Sequence, residues 1–129
     1  MGNNLALSKK SDFYVYFFIG DLEKTSELYN KHKDDIDIHE NDEYLFRISC
    51  RFGRLEIAKW LWNLKKDINL HAKNDEAFKM ACFNGHYEIG SWLCTLCDEY
   101  YLEITKEKIM WKCNRKKIYA ENINDDVII

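Results

Sequence analysis

Apolar positions between residues 35 and 97 change their spacing in a regular order. A short stretch in which Ile36 and Ile38 alternate with polar residues has a period of two and predicts extended chain. A polar turn follows, and then two stretches with apolar residues three and four positions apart, which predict amphipathic helices. Gly53 separates the two stretches and is expected to end the first helix in the left-handed conformation. The pattern therefore predicts a unit made of a link, a helix, a break and a second helix.

This unit occurs twice, with a shift of 32 residues and no gap. The positions that match most clearly are Phe46, Cys50 and Gly53 in the first copy and Phe78, Cys82 and Gly85 in the second. The predicted helices cover residues 44–52 and 55–64 in the first copy, and 76–84 and 87–97 in the second. A fixed period of this length is typical of stacked supersecondary units. We therefore expect an all-α helix–turn–helix repeat array.

A weaker copy precedes these two, over residues 11–34. Gly20 aligns with the later glycines, and Ser11 or Asp12 is expected to cap its first helix. Its second helix, residues 22–31, has a polar flank where the next unit is apolar, formed by Lys24, Thr25 and Glu27. A terminal unit needs only one apolar face, because it has no neighbour on its outer side.

The pattern decays after residue 100. Thr105 is a candidate cap for a helix over residues 106–117, which we interpret as a half-unit that closes the array. The predicted organisation is a polar lead-in over 1–10, units over 11–34, 35–66 and 67–100, a capping half-repeat over 101–117, and a tail over 118–129.

Two segments carry a resemblance to a known family. Residues 52–61 and residues 84–89 resemble the ankyrin repeat sequence Asn-Gly-His-Leu-Glu-Val-Val-Lys-Leu-Leu. The forms Asp-Ile-Asn-Leu-His and Asn-Asp-Glu-Ala-Phe are similar to those of the ankyrin repeat proteins of giant, mimivirus-like viruses. The resemblance implies a two-helix solenoid of about three repeats, a viral protein and a location in the host cytoplasm. The Thr-Pro-Leu-His segment of the family is missing here, so a different two-helix solenoid is the alternative.

Composition narrows the class of protein. The 129 residues are 47% hydrophobic and 32% charged, which is typical of a folded soluble domain. A net charge of -3 gives no general attraction to nucleic acid or to acidic lipid. The apolar run over residues 13–19 fits the repeat register better than a signal peptide. Five cysteines is an odd number, and we expect reduced thiols in a cytoplasmic compartment.

Cysteine and histidine provide the first candidate chemistry. Cys94 and Cys97 form the only Cys-x-x-Cys motif, and Cys113 and His86 could complete a zinc site. A structural zinc site usually has two close pairs of ligands, and Cys113 has no second ligand nearby. A thioredoxin-like role would need the motif at a strand-to-helix junction, whereas the register places it in a helix. We therefore expect no metal and no cofactor.

His39 and His71 recur at matched positions, with Glu40 and Asp75 close in sequence. They could form an acid/base pair, but a residue that recurs in each repeat is more typical of a structural position. The chain has no nucleophile elbow, no phosphate-binding glycine loop and no His-Glu-x-x-His motif. The expectation is a protein that is not an enzyme.

A basic segment near the C-terminus gives an alternative function. The predicted helix over residues 106–117 carries six basic residues and Trp111, and could contact nucleic acid or an acidic protein surface. The competing interpretation is the solvated outer face of a capping helix.

The expected function is binding of a protein partner of unknown identity, without catalysis, a small-molecule substrate or a membrane. In a repeat array the turns and the first helices form an extended surface. The residues predicted to contact a partner are His39, Glu40, Asn41, Asp42, Glu43, Lys73, Asn74 and Asp75 at the turns, and Tyr14, Arg47, Arg51, Lys79 and Phe83 on the first helices.

Overall fold

The computed structural model describes the backbone of residues 2–114 and the side chains of residues 10–114. Within this range the chain forms six α-helices, a single turn of 3-10 helix and one β-hairpin. The elements are α1 (Gly2–Ile19), α2 (Leu22–His32), the 3-10 turn (Lys33–Asp35), α3 (Glu40–Arg51), α4 (Leu55–Leu64), α5 (Ala72–Phe83), α6 (Tyr87–Leu96), β1 (Tyr101–Ile104) and β2 (Ile109–Lys112). The predicted helical class is thus confirmed for the main part of the described chain, and the hairpin is the exception.

The helices pack as three consecutive pairs. Contacts join α1 to α2, α3 to α4 and α5 to α6, and α3 also packs against α5. Within each pair, a glycine with a positive φ separates the two helices, as predicted: Gly20 at 92°, Gly53 at 76° and Gly85 at 80°. At Gly53 a Cβ atom would lie 2.6 Å from Nδ1 of His86, so both the conformation and the space require glycine there.

The core contains the apolar residues of the repeat pattern. That pattern predicts a core formed by Phe13, Phe46, Phe78, Cys50, Cys82, Leu61 and Leu93, and each of these is at most 2% exposed. Tryptophans on the second helices pack against the preceding pair: Trp60 is 5.6 Å from Tyr29, and Trp92 is 6.1 Å from Phe46, measured between ring centroids. The aromatic residues therefore join the helix pairs to one another.

The N-terminal pair differs from its prediction in two ways. Helix α1 begins at Gly2, so the predicted cap at Ser11 or Asp12 is wrong, and the polar lead-in is helical from residue 2 onward. Residues 5–7 are Leu-Ala-Leu, which favour a helix. Thr25, predicted to lie on a polar flank, is fully buried, and its hydroxyl donates to the carbonyl of Asp21 at 2.6 Å. Thr25 thus has its hydroxyl satisfied inside its own helix and can occupy a core position.

The C-terminal part of the fold was predicted incorrectly. The helix expected over residues 106–117 does not form over residues 106–114. In this part of the chain β1 and β2 instead pair as an antiparallel hairpin. β-branched and aromatic residues, among them Ile104, Ile109 and Trp111, favour strands. Residues 115–117 and the predicted tail over 118–129 lie outside the described residues. Among the described helices, none has the length and apolar character that crossing a membrane requires.

Candidate functional site

Two turns of left-handed backbone open the regular parts of α3 and α5. Three consecutive residues have positive φ in each, Asn41, Asp42 and Glu43 at 51°, 55° and 62°, and Lys73, Asn74 and Asp75 at 56°, 57° and 62°. The polar turns predicted from the sequence are therefore present, with a conformation that costs a non-glycine residue about 1–2 kcal/mol. Such turns persist only where surrounding contacts hold them.

Arg47 supplies these contacts in the first turn. Its Nε donates to the carbonyl of Asp42 at 2.8 Å, and its Nη2 donates to the carbonyl of Asn41 at 2.7 Å. Its Nη1 pairs with Oε2 of Glu76 on α5 at 2.7 Å. Arg47 is buried and has three internal partners, so the prediction that it faces a partner protein is wrong.

Glu43 is the second correction to the predicted surface. Its Oε1 lies 2.8 Å from Nδ1 of His39, and its Oε2 accepts from the backbone N–H of Asn69 at 2.7 Å. The side chain is buried, because it joins the turn of one unit to the link of the next. A polar residue in a turn was expected to be exposed, but these two bonds hold it inside.

The two matched histidines each lie between two carboxylates. His39 contacts Glu43 through Nδ1, and its Nε2 lies 3.3 Å from Asp67. His71 repeats this arrangement with Asp75 at 2.6 Å from Nδ1 and Glu99 at 3.8 Å from Nε2. The sequence neighbour Glu40, which was named as the partner of His39, instead accepts a hydrogen bond from the hydroxyl of Tyr14.

The contacts of His39 link one unit to the next, and those of His71 link that unit to the residues after α6. An open polar groove of about 390 Å³ lies between the two histidines, lined by His39, Asp42, Glu43, Asn69, His71, Ala72 and Lys73. Side chains that bind each other across a repeat boundary support the structural interpretation of the histidines.

The pKa of His39 is raised above 6.5, first by its hydrogen bond to Glu43 and further by the negative charges of Glu43, Asp67 and Asp37, against a lowering by burial. The charged imidazole therefore favours the folded state. Its contribution is complete below pH 6.5 and is lost as the pH rises through the raised pKa. We expect His39→Gln to destabilise the protein more at about pH 5 than at about pH 8, measured by urea unfolding.

The control for this prediction is Glu43→Gln, which keeps the shape of the side chain and removes its charge. An NMR titration should show the pKa of His39 nearer 6.5 in that variant. Equal destabilisation by His39→Gln at both pH values would contradict the proposed origin of the shift.

The cysteine motif does not form the zinc site considered from the sequence. His86 lies against Gly53, at the opposite end of α5 from the left-handed turns. Burial raises the pKa of the Cys82 thiol to about 12 and that of Cys113 to about 11. Cys94 lies within α6 and Cys97 directly after it, so the motif is not at a strand-to-helix junction. The motif thus lacks the strand-to-helix context that a thioredoxin-like role needs.

Over residues 106–114 the basic segment forms a turn and a strand in place of a helical face. Lys106 and Lys108 lie in the turn of the hairpin and Lys112 lies on β2. Trp111 is 6.2 Å from the ring of Phe78, edge to face, so it packs against the helices. The basic helix on which the nucleic-acid alternative rested is thus not formed over residues 106–114.

A row of exposed aromatic side chains lies at the ends of the first helices of the three pairs. Phe18 is 45% exposed, Phe52 58% and Phe83 76%. Phe18, Arg51 and Phe83 hold the same position, two residues before the glycine that ends each helix. We call Phe18, Phe52 and Phe83 the aromatic row. Phe83 was predicted to contact a partner, and Phe18 could have been found from its matching position before Gly20. Phe52 directly precedes Gly53 and has no matching phenylalanine in the other units.

The remaining residues of the predicted surface fall into two groups. Asn41, Asp42, Lys73, Asn74 and Arg51 are exposed, and His39, Glu40, Asp75, Tyr14 and Lys79 are half-buried. The guanidinium of Arg51 lies 5.8 Å from the centre of the Phe52 ring.

No family model, no curated protein and no solved structure matches this chain. The chemical character of the aromatic row is therefore the main guide to function. The row combines large apolar side chains with the neighbouring cation of Arg51, and the space between Phe17, Phe18, Ile48 and Phe52 is only about 10 Å³.

Proposed function

We propose that this protein is a non-catalytic protein-binding module built as an ankyrin-like repeat array. Three features support the array: the helices form consecutive pairs, a positive-φ glycine divides each pair, and the second and third pairs follow a 32-residue period. Each pair buries its aromatic residues against the next, as stacked repeats do. A cytoplasmic location, with the cysteines as thiols, and a viral origin are part of the same proposal.

The observation that carries the binding function is the aromatic row. Three phenylalanines with 45–76% of their surface exposed lie at the ends of the first helices of the three pairs. Phe18 and Phe52 line one small depression together, and exposed apolar side chains that cluster on a folded protein mark an interaction site. Aromatic and arginine side chains contribute most to the affinity of protein interfaces.

Charge beside the aromatic row indicates what kind of partner would bind. Arg51 adjoins Phe52, and Lys79 lies one helical turn before Phe83 on the same face of α5. We propose a partner segment that presents apolar side chains to the phenylalanines and a carboxylate to Arg51. Helices α3 and α5 pack on each other, and packed helices lie about 8–10 Å apart, so a partner that reaches both Phe52 and Phe83 spans roughly this distance.

The test replaces two members of the row. A partner is first identified by affinity capture from the native host and mass spectrometry, and is then purified for titration. We expect Phe52→Ala with Phe83→Ala to weaken its binding about tenfold or more, because both rings are hot-spot candidates. Far-UV circular dichroism should be unchanged, because both side chains are exposed.

Asn63→Ala is the matched control, since Asn63 is exposed on α4, away from the row. It should bind the partner as the wild type does. If the double variant keeps full affinity, or if the control loses as much, the aromatic row is not the binding surface.

A further inference from the structure

Three different donor atoms converge beside the last helix. Nε2 of His71 lies 3.9 Å from Sγ of Cys97 and 3.8 Å from Oε1 of Glu99. All three donor atoms lie within 4.8 Å of one another. In a tetrahedral zinc site the donor atoms are separated by about 3.4–3.6 Å, given bond lengths near 2.0–2.3 Å. The two distances from His71 must shorten by about 0.4 Å, and that between Cys97 and Glu99 by up to about 1.2 Å. His71 and Glu99 are 47% and 43% exposed, so their side chains have the freedom to move.

The far side of His71 is arranged as it is in metal-binding histidines. Its Nδ1 lies 2.6 Å from Oδ1 of Asp75, which orients the ring and leaves the lone pair of Nε2 directed toward Cys97 and Glu99. The hydroxyl of Tyr100 lies 2.7 Å from the same carboxylate oxygen and fixes it in turn. Histidines that bind zinc are usually held by a carboxylate on their other ring nitrogen, as His71 is here.

The position in the fold also favours a cation. Helix α6 ends at Leu96, directly before Cys97, so the negative end of the helix dipole lies next to this donor. The preceding unit has the same scaffold, with His39 between Glu43 and Asp67. There the position that matches Cys97 is Lys65, whose charge opposes a metal ion. His71 therefore has a thiol and a carboxylate as neighbouring donors, whereas His39, with a lysine in place of the thiol, has only carboxylates.

We propose that His71, Cys97 and Glu99 bind one Zn²⁺ ion, with the fourth position open to solvent. Imidazole, thiolate and carboxylate together suit zinc, whereas magnesium and calcium prefer oxygen alone. The metal would join the α6 end of the array to the link that precedes α5. This site is independent of the aromatic row. It shares only Cys97 with the set of Cys94, Cys97, Cys113 and His86 named in the sequence analysis.

Zinc binding is tested on the full chain by competition with a chromogenic chelator, with ZnCl₂ as the source of metal. We expect one ion per chain, and a loss of affinity of about tenfold or more in Cys97→Ser. Cys94→Ser is the matched control: its thiol lies three residues earlier, is outside the donor set, and should leave affinity unchanged. Asp75→Asn, which keeps all three donors, should weaken binding by about 10–100-fold.

Two further measurements decide between this site and another. Co²⁺ in place of Zn²⁺ should give a sulfur-to-cobalt charge-transfer band in the wild type and in Cys94→Ser, but not in Cys97→Ser. Zinc should raise the melting temperature of the wild type and leave that of Cys97→Ser unchanged, because a ligand of the folded state stabilises it. Equal zinc affinity in the wild type and Cys97→Ser, or a cobalt spectrum without the sulfur band, would overturn the proposal. A loss of affinity in Cys94→Ser equal to that in Cys97→Ser would place the metal elsewhere.

Discussion

Replacing Phe78 with alanine is expected to lower the free energy of unfolding by about 3–5 kcal/mol, the largest effect of any single change considered. Phe78 is fully buried in α5. Its ring stacks on Tyr100 with centroids 4.3 Å apart and planes 6° from parallel, and Trp111 meets its edge. Alanine would leave a cavity where α5 joins the hairpin, and equilibrium urea unfolding measures the cost.

Phe83→Ala is the matched control, five residues later on the same helix. The same atoms are removed, but Phe83 is 76% exposed, so the free energy of unfolding should change by less than about 0.5 kcal/mol. A similar cost for both variants would mean that Phe83 contributes to the core and could not serve in the aromatic row.

Arg47→Ala is expected to lower the free energy of unfolding by about 2–3 kcal/mol. The change leaves the carbonyls of Asn41 and Asp42 without their donors and removes the partner of Glu76. The left-handed turn would then keep its conformational cost without the bonds that offset it. Urea unfolding gives the magnitude, and amide hydrogen exchange at residues 41–43 should accelerate first.

Lys79→Ala is the control for Arg47, because Lys79 holds the matching position one unit later. Lys79 is half-buried, and we expect a change within about 0.5 kcal/mol. Equal effects at the two positions would show that the loss comes from shortening a long side chain on the helix, rather than from the bonds that Arg47 makes.

The middle of the fold was predicted well from the sequence, because its helices depend on local apolar spacing and because the same pattern occurs in two units. The predicted second helix of the central unit, residues 55–64, has the observed bounds of α4. Apolar spacing and the flanking glycine determine such a helix without reference to the rest of the chain. The ends have no complete copy for comparison. The hairpin also depends on Tyr100 and Trp111 meeting Phe78, a contact between residues distant in sequence.

The candidate surface was harder to predict than the fold. Glu43 and Arg47 look exposed in the sequence because they are charged and lie at a turn and on a helix face. Their burial depends on bonds to Asn69 and Glu76, which only the packing of one unit on the next brings close. Residues at matched positions can also differ in their contacts, as Arg47 and Lys79 do. A repeat pattern therefore predicts where a residue lies in its helix, but not which residues it contacts.

The hairpin at the C-terminal end has a consequence for the possible growth of such a chain. It occupies the flank of α5 and α6 on which an added helix pair would have to dock. Duplication of one unit after residue 100 would therefore meet strands in place of a matching helical face. An extra copy of residues 35–66 inserted before residue 67 would find compatible neighbours on both sides. This architecture can therefore be lengthened between its helix pairs, whereas the hairpin prevents the addition of a pair directly after α6.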